Sequence, residues 1–600
     1  MTVSASIPAA VMTVAIFTVI RARGTLLEAN LSQTVGSAST SLASGTIFTI
    51  PALFLWGMAP PYLQVVVLCF LGGVLGLSAM IPLRRMLIVD GKNELPYPEG
   101  TACAEVLRAT AAGAGGGAWI FAGMGIGAGV KVLVSLFFVL PGEVRAELPV
   151  LPKAEVALEL APALLGVGFI LGYRQAAVCM AGAIISALAL APLIGWLGEG
   201  MSQPLYPETT RLIAQMTPGQ IWARYVRYIG AGAVATAGII SVLRGMPAMA
   251  GAFVAIARNL SKGRGAGSSE GGQAQDRTDR DLPGGFVIGG IVLVVVVAAL
   301  VPNVFAGDMD PLQRAVCAAG VGVFGVLFVA VAARIVGIVG VSSQPVSGMT
   351  LVTLLGVAGV FAVAGWTDPG ARAAVLTVGT IVAVAASKAG DISQDLKTGY
   401  LVGATPAYQQ FGQLIGAGVA CWAVAGAVML LGSVYEFGSA DVPAPQATLM
   451  KTVIEGVLAG DLPWGLVLTG SGLSIGAMLC GASGLAFAIG VYLPFASMAP
   501  LFVGGCVRAL VERGRSAESR QSDPGILAAS GLVAGEALAG VLIAALVALG
   551  AAPRSRDPLL AGDLGVVVVL AAVGLLCCFL YRAGSRRDDG TGSHDISLTR

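Results

Sequence analysis

A chain of 600 residues that is 56% hydrophobic, 11% charged and +0.85 in mean hydropathy holds more apolar surface than a soluble fold of this length can cover. Its 35 basic and 33 acidic residues leave a net charge of +2 with no concentrated basic face, which argues against nucleic acid as a partner. One histidine, His594, excludes a histidine metal site, and nine scattered cysteines without a C-x-x-C pair suggest neither zinc nor a disulfide frame.

A run of about 18 apolar residues can cross a bilayer as a helix, and helices are forced there because backbone polar groups must be satisfied internally. In chain order, the first ionisable group inside apolar sequence is Glu28, with Gln33 close behind in "LLEANLSQT" (26–34). A clear span follows at 62–81, then a basic cluster, "RRMLIVDGK" (84–92). Next comes "NELPYPEGTACAEVLRA" (93–109), which gathers three glutamates between two apolar stretches. Pro98 suits the first position of a helix, and Glu99 then lies in its first turn, where the helix dipole favours negative charge. Glu99, Cys103 and Val106 would share one face, and Glu105 could pair with Arg108. Two readings stay open here: a helix-interrupted binding site, or a water-facing loop before an ordinary helix. The Gly-rich run "GAGGGAWIFAGMGIGAG" (113–129) predicts close helix packing.

A second clear span lies at 176–197. The polar stretch 261–284 reads as a flexible linker. It divides an N-terminal membrane half, 1–260, from a C-terminal one, 285–583, with a polar tail at 584–600. Further spans follow at 285–301, 347–366 and 564–581. Weaker runs bring the expected total to roughly 15. The halves share faint echoes: "SASIPAAVMTV" (4–14) with "SSQPVSGMTLV" (342–352), and "EANLSQT" (28–34) with "AGDISQD" (389–395). Between spans, "ASKAGDISQDLKTGYLVGATP" (386–406) forms a polar island. If it is helical, Lys388, Asp391 and Asp395 lie on one face, with Gln394 beside them; otherwise it is a solvated loop. Tyr492 in "GVYLPF" stands next to Pro494, where a broken helix would suit a hydroxyl. Glu536 is a lone carboxylate in the small, apolar run "GLVAGEALAG" (531–540). Basic clusters at 21–23, 84–92, 508–520 and 581–587 place those loops, the linker and the tail in the cytoplasm. The acidic loops 141–149 and 435–445 fit outside. Positive charge follows the first apolar run, so no cleavable signal peptide is evident. No G-x-x-x-x-G-K-[ST], H-E-x-x-H or nucleophile elbow occurs, which leaves neither an ATP-driven domain nor a membrane enzyme supported.

The blocks "NELPYPEGTACAEVL", "SSQPVSGMT", "SQDLKTGYLVGATPAYQQ", "APQATLMKTVIEGVLAGDLPWGL", "FAIGVYLPFASMAPLFVGG" and "SGLVAGEAL" together resemble the oligopeptide transporter superfamily, in its prokaryotic branch related to yellow-stripe-like metal-chelate transporters. The resemblance implies an all-α, polytopic helical bundle of about sixteen spans, built from two related halves with interrupted helices. It implies a secondary carrier in the cell membrane, without a cofactor, that couples protons to uptake of short peptides or metal chelates. It also places an apolar helix ahead of the segment matching "MTVSASIPAA", which would make Met1 an internal methionine. The candidates for proton coupling are Glu99, Glu105, Asp391, Asp395 and Glu536. The candidates for lining the substrate path are Glu28, Gln33, Lys388, Gln394 and Tyr492. A passive channel would show flux without uphill accumulation, and a polytopic enzyme would alter its ligand.

Overall fold

Apolar runs with nothing but each other and lipid to pack against fold as helices, and the computed structural model is a helical bundle. It describes residues 24–91, 97–111, 117–208, 211–237, 276–339, 346–439, 444–458, 463–513 and 524–585, with a few isolated positions besides. Among the described residues, 12 helices are long and apolar enough to cross a membrane, and Pro162–Leu171 and Trp464–Leu479 are shorter apolar helices. Of the five clear spans expected from the sequence, 62–81, 176–197 and 564–581 lie within these helices, while 285–301 and 347–366 run slightly past helices that end at Leu300 and Val363.

The first half supplies α1 (Leu26–Ile47), α2 (Pro51–Leu55), α3 (Tyr62–Met80), α4 (Pro98–Ala111) and α5 (Gly117–Ser135). After a hairpin of β1 (Glu143–Glu147) and β2 (Glu155–Glu159) come α6 (Pro162–Leu171), α7 (Tyr173–Ile185), α8 (Ala191–Gly198) and the helical stretch α9 (218–237). Beyond the linker lie α10 (Gly284–Leu300), α11 (Pro311–Val339), α12 (Val346–Val363), α13 (Pro369–Val402), α14 (Pro406–Val434), α15 (Pro445–Leu458) and α16 (Trp464–Leu479). The chain then runs through α17 (Gly484–Tyr492), α18 (Phe495–Glu512), α19 (Pro524–Ala548) and α20 (Gly562–Ser585).

Helix α13 organises the first packing group. Asp368 caps it by accepting from the Ala371 amide at 3.2 Å, Pro369 opens it, and Gly403 closes it in the left-handed region (φ 76). Its hydropathic middle is fully buried behind α1, α3, α4, α11 and α12. The polar island at 386–406 is therefore no loop: up to Val402 it continues this helix. Small residues make the burial possible. A Cβ at Gly76 of α3 would stand 2.5 Å from the Ala385 carbonyl oxygen, so only glycine lets those backbones meet. A second group packs α5, α6 and α7 against α17, α18, α19 and α20, and α14 joins the groups through α19. Both groups draw helices from both sides of the linker.

The packing is reciprocal. Helix α3 lies on α13 as α14 lies on α1, and α6 lies on α18 as α17 lies on α7. The helices α4 and α15 are each 14 residues long. Each opens on the second proline of a Pro-x-Pro sequence, Pro96-Tyr97-Pro98 or Pro443-Ala444-Pro445. The central residues Tyr97 and Ala444 are both left-handed, at φ 47 and φ 41, which is a strained backbone for a side chain other than glycine.

Candidate functional site

Ten consecutive residues of α13 are buried where lipid or apolar side chains would be expected, yet they include Lys388, Asp391, Gln394, Asp395 and Lys397. Charges survive burial only when neighbours supply hydrogen bonds. For Asp395 they do. Its Oδ1 accepts from Gln33 Nε2 at 2.6 Å, and its Oδ2 accepts from Ser37 Oγ and Gln413 Nε2, each at 2.5 Å. Three donors from α1 and α14 thus converge on a carboxylate from α13, which is the pattern of charge-assisted bonds that suits an ionised acid.

Gln413 extends the arrangement. Its Oε1 accepts from the Lys388 ammonium, so one amide links the buried cation to the buried carboxylate. Lys388 also reaches the Gln413 carbonyl at 3.5 Å. Asp391, 3% exposed, differs from Asp395: its buried Oδ2 has no hydrogen-bond partner. The charges nearest to it in effect are Asp395, Lys388 and Glu99, and Ser41 of α1 lies beside it. On the face shared by Lys388, Asp391 and Asp395, one ammonium therefore meets two carboxylates. Lys397 lies off that face, 5.9 Å from the Tyr97 ring centre and 5.8 Å from that of Tyr400.

Residues 97–101 seat against α11 and α13. The Tyr97 amide donates to Gly337 O at 2.9 Å and its hydroxyl to Ala333 O at 3.2 Å, which holds the left-handed turn in place. The Gly100 amide donates to Gln394 Oε1 at 2.6 Å, and Thr398 Oγ1 donates back to Gly100 O at 2.8 Å. Gln394 also donates to Val336 O at 3.1 Å. Glu99 is half-buried in the first turn of α4. Glu105 lies on α4, but its side chain is outside the described residues, and Arg108 bonds the Leu401 carbonyl.

The structure thus brings Gln33, Lys388, Asp391, Gln394 and Asp395 together, with Glu99 at their edge. It sets three candidates apart. Glu28 is exposed at the start of α1, where it forms a capping box with Thr25. Tyr492 is wholly buried at the C-terminus of α17, and its hydroxyl bonds none of these residues. Glu536 Oε2 accepts from the Ala163 amide at 2.6 Å, so it caps the first turn of α6 from its place on α19. Glu536→Gln, which keeps an acceptor oxygen, should leave uptake near wild type. Glu536→Ala should cost about 1–3 kcal/mol of stability, read as a lower unfolding temperature in detergent.

Sequence reasoning did not single out Ser37, Ser41, Gln409 or Gln413. Gln409 Nε2 donates to Asp395 O at 2.8 Å and to Thr34 Oγ1 at 3.2 Å. The only signal for these groups was their polarity within helices: glutamines one turn apart in "AYQQFGQ" (407–413) and serines and threonines recurring along α1.

A family model described as "OPT oligopeptide transporter protein" matches residues 1–547. A Haemophilus influenzae protein described as "Putative oligopeptide transporter" is 31% identical over 597 residues, covering 91% of this chain and 91% of its own length.

Proposed function

This chain belongs to the oligopeptide transporter family, and on that premise we propose that it carries short peptides across the cell membrane by proton symport, with Asp391 taking up the coupling proton. The supporting observation is the buried face of α13, where Lys388 offsets only one of two carboxylates and Asp391 keeps an unpartnered oxygen. Asp395 is the fixed partner: with its donors in place it stays a carboxylate, linked through Gln413 to Lys388. A proton on Asp391 balances the cluster, and a balanced cluster is less costly to rearrange within a low-dielectric bundle than a charged one. Loading of Asp391 then accompanies cargo binding, and its release on the cytoplasmic side resets the carrier. The echo of "EANLSQT" in "AGDISQD" and the paired Pro-x-Pro sequences with left-handed Tyr97 and Ala444 support an origin of the two halves by duplication.

The test uses purified protein in proteoliposomes with an inward proton gradient and a pool of short peptides, alongside iron and nickel chelates. The expected result is lumenal accumulation of peptide that a protonophore abolishes. Equilibration that ignores the protonophore would replace symport by facilitated passage. Accumulation of chelate in place of peptide would reassign the cargo, and no entry of either class would overturn the transport reading.

A further inference from the structure

We propose that a second polar site, at the break between α17 and α18, binds the carboxylate end of the cargo through Arg227. Helix α17 stops at Tyr492; Leu493 is extended (φ −81, ψ 152), Pro494 follows, and α18 begins at Phe495. A proline there has no amide to continue the helix, so the last turn must find partners elsewhere. The Tyr492 carbonyl accepts from Trp222 Nε1 at 3.2 Å. The Tyr492 hydroxyl, on a side chain with no exposure, has no hydrogen-bond partner. A buried hydroxyl of this kind is costly unless something arrives to bond it.

What lies around that hydroxyl is an anion receptor. Gly230 of α9 lets the Tyr492 backbone approach, since a Cβ there would lie 2.5 Å from Tyr492 Cα. Arg227, one turn earlier on α9, therefore projects to the same side. The Arg227 guanidinium and the Thr448 side chain lie near that hydroxyl, neither of them in hydrogen-bond geometry with it. Arg227 Nη1 donates to the Gly438 carbonyl at 2.5 Å. The position of a Gly438 Cβ would be 3.4 Å from that nitrogen and 3.9 Å from Thr448 Oγ1, so guanidinium and threonine hydroxyl flank one glycine. No carboxylate of a described residue lies within ion-pair distance of Arg227. The nearby acid, Glu455, is already engaged by Trp56 Nε1 at 2.8 Å and Lys451 at 3.7 Å. The Thr448 hydroxyl is turned to the Ala444 carbonyl at 3.3 Å, so the guanidinium and the Tyr492 hydroxyl are the donors that match a carboxylate.

The inference rests on the peptide reading of the cargo, since a linear peptide always carries one terminal carboxylate. The test is direct binding to purified protein, with tetra-alanine and its C-terminal amide as probes, followed by uptake of both into proteoliposomes. Wild type should bind the free acid at least about tenfold more tightly than the amide, the worth of one charge-assisted contact. Arg227→Gln should remove that preference by weakening the acid alone, Arg227→Lys should restore part of it, and Tyr492→Phe should reduce it. The amide serves as the internal control for folding, because a merely structural arginine would weaken both probes alike. Equal binding of acid and amide by wild type overturns the site while leaving peptide transport standing. Binding and uptake of neither probe overturns both.

Discussion

Asp391→Asn should abolish proton-driven accumulation of peptide and spare exchange of peptide across the same membrane. Asparagine fills the volume of aspartate but cannot take up and release a proton, so the cycle loses its coupled step while the path stays open. The geometry makes Asp391 the sharper choice over Asp395. Every oxygen of Asp395 is already occupied by a donor, from Gln33, Ser37 or Gln413, whereas Asp391 Oδ2 is buried without a partner. Asp395→Asn should therefore act differently. An amide nitrogen would meet donors it cannot accept from, and the Lys388–Gln413 link would lose its anionic end, a loss of roughly 3–5 kcal/mol for a broken buried pair. That variant should fail in stability and exchange together. Counterflow of labelled peptide, read beside uphill accumulation, separates the two. If Asp391→Asn still accumulates peptide against its gradient, the coupling proton is carried by another group, and Glu99 at the edge of the cluster is the next to replace.

The membrane helices were legible because apolar runs are local. The charged run in α13 was harder. Lys388, Asp391, Asp395 and Lys397 lower the hydropathy of 386–406 enough to suggest a connection between spans, yet Pro369–Val402 is one helix of 34 residues. It stays helical and buried because its apolar half is Ala, Val, Gly and Thr, and because its charged half is met by α1 and α14. The α1 partners lie hundreds of residues away, since Gln33 and Ser37 reach Asp395 across 362 and 358 positions, while Gln413 of α14 stands 18 positions on. Neutral amides and hydroxyls carry no charge to mark them, so nothing local in the sequence tells a serine facing a carboxylate from one facing a backbone carbonyl. Glu28 is the opposite case. Thr25 and Glu28 have the spacing of a capping box, which makes an exposed helix start readable from four residues. For Glu536 the sequence shows a lone acid on a helix, but which helix end it faces is settled only by tertiary packing.

Gly100→Val should unseat α4 and remove transport, although the substitution adds no charge and lies in a segment of ordinary helix formers. The glycine is required by contact. A Cβ there would stand 2.3 Å from the Gln394 carbonyl oxygen and 3.1 Å from its carbonyl carbon, and backbone atoms inside a buried helix cannot step aside. Overpacking of this kind costs about 1–3 kcal/mol. Displacement would also break the Gly100 amide bond to Gln394 Oε1 and the Thr398 bond to Gly100 O, at about 1 kcal/mol each. The control is Gly125→Ala on α5, where a Cβ meets nothing within 4 Å; its unfolding temperature and uptake should match wild type. A Gly100→Val protein with wild-type unfolding temperature and uptake would mean that α4 does not dock on α13 in the working carrier. The glutamates of "NELPYPEGTACAEVLRA" would then be loop residues after all. Loss of uptake with α13 and its cluster otherwise unchanged would instead tie this stretch to the site, since Gly100 touches the helix at Gln394, the residue next to Asp395. The prolines and the glycine would then serve one end: a stiff turn that sets Tyr97 and Glu99, and a small residue that brings the first turn of α4 onto the buried charges.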